Sequence, residues 1–432
     1  MDTCKSVKIV MLPWLAHGHI SPFFDLAKEL SLNNIKVYLC STPVNLEPFR
    51  NKSLSLIELV DLHLPTSSLP PHQHSTKNLP NHLIETLIAS FDEAKPEFNN
   101  ILKDIKPDLV IIDLMFLPWA VESASEMNIN TVTMYIIGAA ILATLAHSII
   151  RPGSSIPRAY PDGRSQALSY FLSTEAGGMT HKDRILKSLS KSSNLMLVRT
   201  SREIEHKELE YLSSLTGKEI VPLGTLIQDQ DKLDGNDSYV ENWLNERDPR
   251  SVVYVSFGSE CFLSKEHIAE VARGLQMSKV RFIWVIRFPG GEGTTIDEAL
   301  PEGYLERVKT TGLVLQGWAP QAKILRHPST GGFVSHCGWN STLEGIDSGV
   351  PFIAMPMQYE QPLTAMIVEE IGVGLVVQRR DGKIAKVIDE VMKGERGRRA
   401  RERAKEYSRK MKESEETDLA VKKLVQLATN TV

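Results

Sequence analysis

Residues 318–361 read WAPQAKILRHPSTGGFVSHCGWNSTLEGIDSGVPFIAMPMQYEQ. Gly331–Gly332 lets the chain turn tightly into a strand at Phe333–Ser335, and His336–Cys337–Gly338 then makes a sharp turn. Trp339–Asn340–Ser341–Thr342 opens a helix that ends near Gly349, and Pro351–Ala354 is the next strand. Asn340 and Ser341 are N-capping types, with Glu344 at capping-box distance. A glycine turn that feeds a helix N-terminus is an anion site, because open backbone N–H groups and the helix dipole both favour negative charge. A diphosphate fits there. Taken alone, the same pattern also suits an ordinary βαβ unit of an α/β protein.

Working outward, the first half alternates short apolar runs with helical patterns. Val7–Leu12, Ile35–Cys40, Leu56–Leu62, Leu109–Asp113 and Thr131–Tyr135 read as strands. Helices are expected near Pro22–Leu32, His82–Leu102 and Pro118–Met127. Such alternation implies βαβ units on a parallel sheet covered by helices. The polar, acidic stretch Ile227–Ser238 reads as a linker. The pattern then restarts with SVVYVS at Ser251–Ser256, the turn Phe257–Gly258–Ser259, a helix from Ser264, and strands at Phe282–Ile286 and Gly312–Gln316. The expected fold is therefore α/β, with two doubly wound Rossmann-like domains and ligands beyond the carboxyl ends of the strands, in the cleft between the halves. Glu395–Leu427 reads as one or two charged helices.

Composition fits this reading. A chain of 432 residues exceeds one ordinary core and suits two domains. Hydrophobic residues make up 42% and charged residues 24%, which excludes a disordered or fibrous chain. A net charge of −4 gives no reason to expect nucleic acid. Cys4, Cys40, Cys261 and Cys337 are scattered, as in a reduced cytoplasmic protein. The N-terminus lacks the features of a signal peptide. The apolar stretch Thr131–Ala146 is too short to span a membrane and reads as core.

The segment from WAPQ through HCGWNSTLE to the Glu360–Gln361 pair resembles the signature box of plant family 1 UDP-glycosyltransferases. The resemblance extends over the full chain, including GHISP near the start and Asp113 at a strand end. It implies the GT-B fold: an acceptor-binding domain at 1–227, a linker at 228–240, a UDP-sugar-binding domain at 241–405, and a C-terminal helix at 406–432 packing back on the first domain. It further implies that Trp318 stacks on uracil, that the backbone of Ala319 bonds the base, and that Gln321 flanks the nucleoside. Glu344 would accept from the ribose hydroxyls. His336, Gly338, Asn340, Ser341 and Ser259 would hold the diphosphate, while Trp339, Glu360 and Gln361 line the sugar pocket. Gln361 implies a glucose-type donor.

Transfer to a hydroxyl needs a base for the acceptor proton and stabilisation of the departing diphosphate. The resemblance puts the base at His19 and its orienting partner at Asp113, which ends the run LVIID. Direct displacement with inversion follows. His17 is expected to be a loop residue. The sequence departs from the family at Ile136–Ile137–Gly138, where a threonine or serine often touches the diphosphate or sugar.

Other signals are discounted. Asp229–Gln230–Asp231 lies in the linker, so no metal or other cofactor is expected. His72–Gln73–His74 reads as a mobile acceptor-domain loop, and Arg396–Lys412 as a solvated helix. MLPWLAHGHISPFFDLAKEL, LCSTPVNL and LPPHQHSTKNLPNHL resemble the clade that adds a sugar to an existing sugar of a flavonoid, triterpenoid or similar glycoside. Ser67–Leu79 and Thr131–Ile150 would line the acceptor cavity. The expected partners are UDP-glucose and a small glycoside or hydrophobic acceptor, with no stable membrane insertion, on a monomer. Two other readings stay open: a glucosyltransferase acting directly on an aglycone, and an inactive UDP-sugar-binding protein.

Overall fold

The computed structural model describes residues 7–51, 55–77, 79–113, 117–154, 165–226, 238–259, 261–288, 294–358, 360–377 and 383–429. The chain forms two compact units. One comprises the residues up to Leu226 together with those from Ser414 onward, and the other runs from Ile227 to Glu413. Asp229, Asp231 and most of the expected linker lie outside the described residues.

The first unit is built on β1 (Lys8–Leu12), β2 (Lys36–Ser41), β3 (Ile57–Asp61), β4 (Leu109–Asp113) and β5 (Asn130–Tyr135). A short hairpin of β6 (Glu175–Ala176) and β7 (Met179–Thr180) follows, then β8 (Leu195–Val198) and β9 (Glu219–Pro222). Seven of these form one sheet in the order β3-β2-β1-β4-β5-β8-β9, and every pairing in it is parallel. Alternate residues of a strand point to opposite faces. Ile9, Met11, Leu109, Ile111, Val132 and Met134 pack with Ile20, Phe23 and Leu26, and with Ala420, Val421 and Leu424 of the terminal helix Glu416–Thr429. Val10, Leu12, Val110 and Ile112 pack on the opposite side with Leu87, Phe91, Phe98 and Val121.

Two local readings change. The first helix is His17–Leu32, so Pro22 lies inside it and does not start it. The carbonyl of Ala16 accepts from the N–H groups of His19 and Ile20, which closes a turn ahead of the proline, and burial of Ile20, Phe23, Phe24, Leu26 and Leu30 offsets the proline's lost hydrogen bond. The stretch expected as one helix at His82–Leu102 is split into Ile84–Asp92 and Lys95–Ile105, because Pro96 cannot continue a helix from the preceding turn. The charged tail is also two helices. Glu395–Lys412 belongs to the second unit, and Ser414 accepts the Glu416 N–H to begin Glu416–Thr429 in the first.

The second unit holds β10 (Val252–Ser256), β11 (Arg281–Ile286), β12 (Gly312–Gln316), β13 (Thr330–Ser335), β14 (Phe352–Ala354) and β15 (Gly374–Val376), in the order β12-β11-β10-β13-β14-β15. Gly331 and Gly332 lie within β13, not before it. The register with β10 slips between Val252 and Val253, and a Cβ on Gly331 would stand 2.4 Å from the Arg250 carbonyl oxygen. Glycine is needed there for backbone approach. No helix among the described residues is long and apolar enough to cross a membrane; Thr131–Ala146 divides between β5 and the buried helix Ala139–Ile150.

Candidate active site

In the first unit, β1 and β4 are neighbours, with Leu12 opposite Ile112. Asp113 ends β4, and His19 sits in the first turn of the helix that follows β1. Their side chains meet at 2.5 Å, His19 Nδ1 to Asp113 Oδ2. The Trp14 backbone N–H also donates to Oδ2, at 3.2 Å. Asp113 is buried to 2% side-chain exposure while His19 keeps 21%, so the carboxylate is held inside and the imidazole reaches out. A carboxylate accepts at Nδ1, which puts the ring's lone pair on Nε2. Such a ring can take a proton from a hydroxyl. His17 stacks on Phe49 at a ring-centroid distance of 6.3 Å.

The loop that carries His74 is anchored. His74 is buried, its Nε2 donates to the Leu69 carbonyl, its own carbonyl accepts from Thr42 and Asn45, and Thr76 N–H donates to the Leu15 carbonyl. The reading of this stretch as a mobile loop is corrected accordingly. Among the described residues no three His, Cys, Asp or Glu side chains form a metal-binding group.

In the second unit the expected donor residues form three groups. The first is a side-chain network: Gln321 Nε2 donates to Glu344 Oε2 at 2.7 Å and to Ser341 Oγ at 3.1 Å, and Tyr254 Oη approaches Gln321 Oε1 at 3.4 Å. Ser341 is thereby on the Gln321 side of its helix. Trp318 precedes Gln321 in the chain, after Gly317 with φ +92, and is 58% exposed. An indole so exposed on a strand-end turn offers a stacking surface. Ala319 is buried, and its carbonyl accepts from Gln321 N–H.

The second group surrounds His336. Cβ atoms added to Gly258 (φ +80) and Gly338 would lie 2.7 and 2.4 Å from the His336 ring, so two glycine backbones clasp the imidazole. Burial pushes its pKa down to about 4, so the ring is neutral at ordinary pH. Its Nδ1 is buried without a partner. Cys337 takes φ +65, an uncommon conformation for a side-chain-bearing residue, with its N–H held by Ser335 Oγ at 3.1 Å. The following helix is Trp339–Asp347, and its N-cap is Gly338 with no side-chain cap. The expected capping box does not form, because the helix starts at Trp339 and takes Asn340 and Ser341 into its first turn. That leaves the helix end without a capping side chain, as an anion site requires. Ser259 follows Gly258 on the turn after β10.

The third group is at the end of β14. Gln361 is buried, and its Oε1 accepts from the backbone N–H groups of Met357 and Gln358, both at 2.9 Å. Its carbonyl oxygen is committed to the loop, and its amide N–H groups are what it can offer a sugar hydroxyl. Glu360 is half-buried at the N-cap of the helix Gln361–Glu370, and Trp339 is almost fully buried. Ile136 is packed into the first unit's core and supplies no polar group.

Three contributors had no readable signal in the sequence. The Trp14 amide acts through its backbone, which carries no side-chain signature. Tyr254 looks like any core aromatic of β10. Gly258 is legible as a turn glycine, but its contact with His336, 78 residues away, is not.

The family profile described as "UDP-glucoronosyl and UDP-glucosyl transferase" matches residues 223–396, and "Glycosyltransferase, N-terminal domain" matches residues 5–224. The chain is 46% identical, over 99% of its own length and 99% of the relative's, to flavanone 7-O-glucoside 2''-O-beta-L-rhamnosyltransferase of Citrus maxima. It is 42% identical, over 98% and 99%, to beta-D-glucosyl crocetin beta-1,6-glucosyltransferase of Gardenia jasminoides. Among solved structures, Phytolacca americana UGT2 complexed with UDP-2fluoro-glucose and pterostilbene superposes with a TM-score of 0.79 at 27% identity, covering 98% of this chain and all of that one. Matched by family profiles across nearly its whole length and folded as two parallel-sheet Rossmann-like domains, the chain belongs to the plant family 1 UDP-glycosyltransferases of GT-B fold.

Proposed function

We propose that the enzyme transfers a sugar from a UDP-sugar to a sugar hydroxyl of a small-molecule glycoside, with inversion and without a metal. The observation that carries the reading is the 2.5 Å contact between His19 and Asp113, which orients the imidazole as a base. In the reaction Nε2 of His19 removes the acceptor hydroxyl proton as the oxygen bonds to the anomeric carbon. The bond from that carbon to the diphosphate oxygen breaks, and UDP leaves with the electron pair. Asp113 steadies the imidazolium that forms. The N-terminus of Trp339–Asp347, capped by a glycine, and the neutral His336 suit the charge growing on the diphosphate.

Glycoside acceptors are supported by the two relatives, whose names both describe transfer to a glucose already attached to another molecule. Those names specify different donors, rhamnose and glucose, so the donor rests on this chain's own residues. We assign glucose, on Gln361 at the end of the signature box. Cys40 and Cys337 are free and buried, which supports action in the reducing cytoplasm.

Nuclear magnetic resonance of the product made from UDP-α-glucose tests the chemistry. A β-linked product is expected, and an α-linked product would overturn the single displacement. Full activity in excess EDTA is expected as well; loss of activity restored by Mg²⁺ would overturn the metal-free reading.

A further inference from the structure

The helix Ala139–Ile150 begins with Gly138 as its N-cap, a residue with no side chain to offer. Its first two N–H groups are nevertheless satisfied. Ala139 N donates to Glu205 Oε2 at 2.7 Å and Ala140 N to Glu205 Oε1 at 2.9 Å, while Thr200 Oγ1 donates to Oε2 at 2.6 Å. Glu205 comes from another helix, Arg202–Thr216, and is fully buried. Its backbone is broken out of the helical conformation, with φ −129 and ψ 39. A good helix former held in a non-helical conformation, with its carboxylate out of water, is a local conflict on two counts. What it secures is a two-pronged cap on the positive end of a second helix.

The position of that cap matters. Met134 of β5 is the register partner of Asp113, and the chain leaves β5 after Tyr135 through Ile136–Ile137–Gly138 into the capped helix. In a parallel sheet, ligands bind beyond the carboxyl ends of the strands. The capped turn therefore adjoins the strand end that carries the dyad. We propose that Glu205 is a positioning residue for the acceptor: its carboxylate fixes the turn and helix start beside His19–Asp113. The inference rests on the reading that the first unit receives the acceptor. It also accounts for the apolar Ile136, since the neighbouring N–H groups are already occupied by the chain's own carboxylate. Burial pushes Glu205 up to about 7 against the opposing pull of its three donors. In its protonated form the Oε2–H can donate to Thr200, so the cap has a bonding pattern in either state.

Glu205→Gln tests this. The amide keeps the shape but retains one acceptor oxygen, so one helix N–H faces an N–H. The expected result is a rise of about tenfold or more in acceptor KM, the scale of one charge-assisted hydrogen bond. Donor KM and calorimetric UDP affinity should stay within about twofold, because the UDP-binding residues belong to the second unit. Glu205→Asp, which keeps the charge, should recover part of the loss. Unchanged acceptor KM with only a lower melting temperature would overturn the proposal, as would equal rises in donor and acceptor KM. If Glu205→Gln does not accumulate folded, Thr200→Val withdraws one donor at constant shape and carries the same test with the same two outcomes. The acceptor used is whichever the native enzyme turns over fastest, so a wrong glycoside assignment leaves this result readable.

Discussion

Nδ1 of His19 and Oδ2 of Asp113 stand 2.5 Å apart although 94 residues separate them in the chain. Two adjacent parallel strands bring them together. β1 hands the chain to the helix that bears His19, and β4 ends on Asp113. The Trp14 amide holds the same carboxylate oxygen, so the aspartate is fixed from the backbone as well as by the ring.

Asp113→Asn is expected to lower kcat by about 100-fold or more, the scale of general-base catalysis. The amide can present N–H to Nδ1, which favours the tautomer with its proton on the wrong nitrogen. UDP affinity should be unchanged, because the donor residues lie in the other unit. Turnover within a few-fold of the native enzyme would remove Asp113 from the mechanism.

Gly258→Ala should weaken UDP binding while sparing the dyad. The new Cβ would meet the His336 ring at 2.7 Å, and φ +80 is strained for any side chain. A stability loss of about 1–3 kcal/mol is expected from strain alone. Calorimetry that finds native UDP affinity would show that the imidazole is not clasped as described.

His336 gives a signed pH prediction. Its folded pKa of about 4 lies below the usual histidine value, so between roughly pH 4 and 6.5 the unfolded chain binds more protons than the folded one. Stability from this group is complete above about pH 6.5 and is lost as pH falls through 4, by about 3 kcal/mol in order of magnitude. Melting temperature against pH, compared between the native enzyme and His336→Gln, checks this. The native curve should fall more steeply on acidification, and parallel curves would show that His336 titrates normally.

Much of this architecture is legible in the residues. The runs Leu109–Asp113 and Val252–Ser256 are apolar, strand-length and bounded by turns, and both are strands. The short strands β8, β9 and β15 escape notice because three or four residues beside a helix carry no periodicity of their own. Pro22 misleads because a local rule about helix starts loses to burial of the turn before it. The resemblance singles out His19 and Asp113, and the fold brings their side chains together. The Gln321–Glu344 bond, the Gln361 loop clasp and the Glu205 cap are pairings made by the fold, and only coordinates reveal them.

In the proposed reaction the accepting hydroxyl belongs to a sugar. The direct measurement offers the native enzyme UDP-glucose with a panel of flavonoid and triterpenoid aglycones and their monoglucosides, and determines kcat/KM and the linkage of each product. A site that bonds sugar hydroxyls leaves buried polar groups unpaired when a bare aglycone enters, a penalty of about 1–3 kcal/mol per group. A monoglucoside should be preferred by at least about tenfold, and mild partial hydrolysis of its product should release a disaccharide. Equal efficiency on the bare aglycone, with the new sugar attached directly to it, would contradict the account.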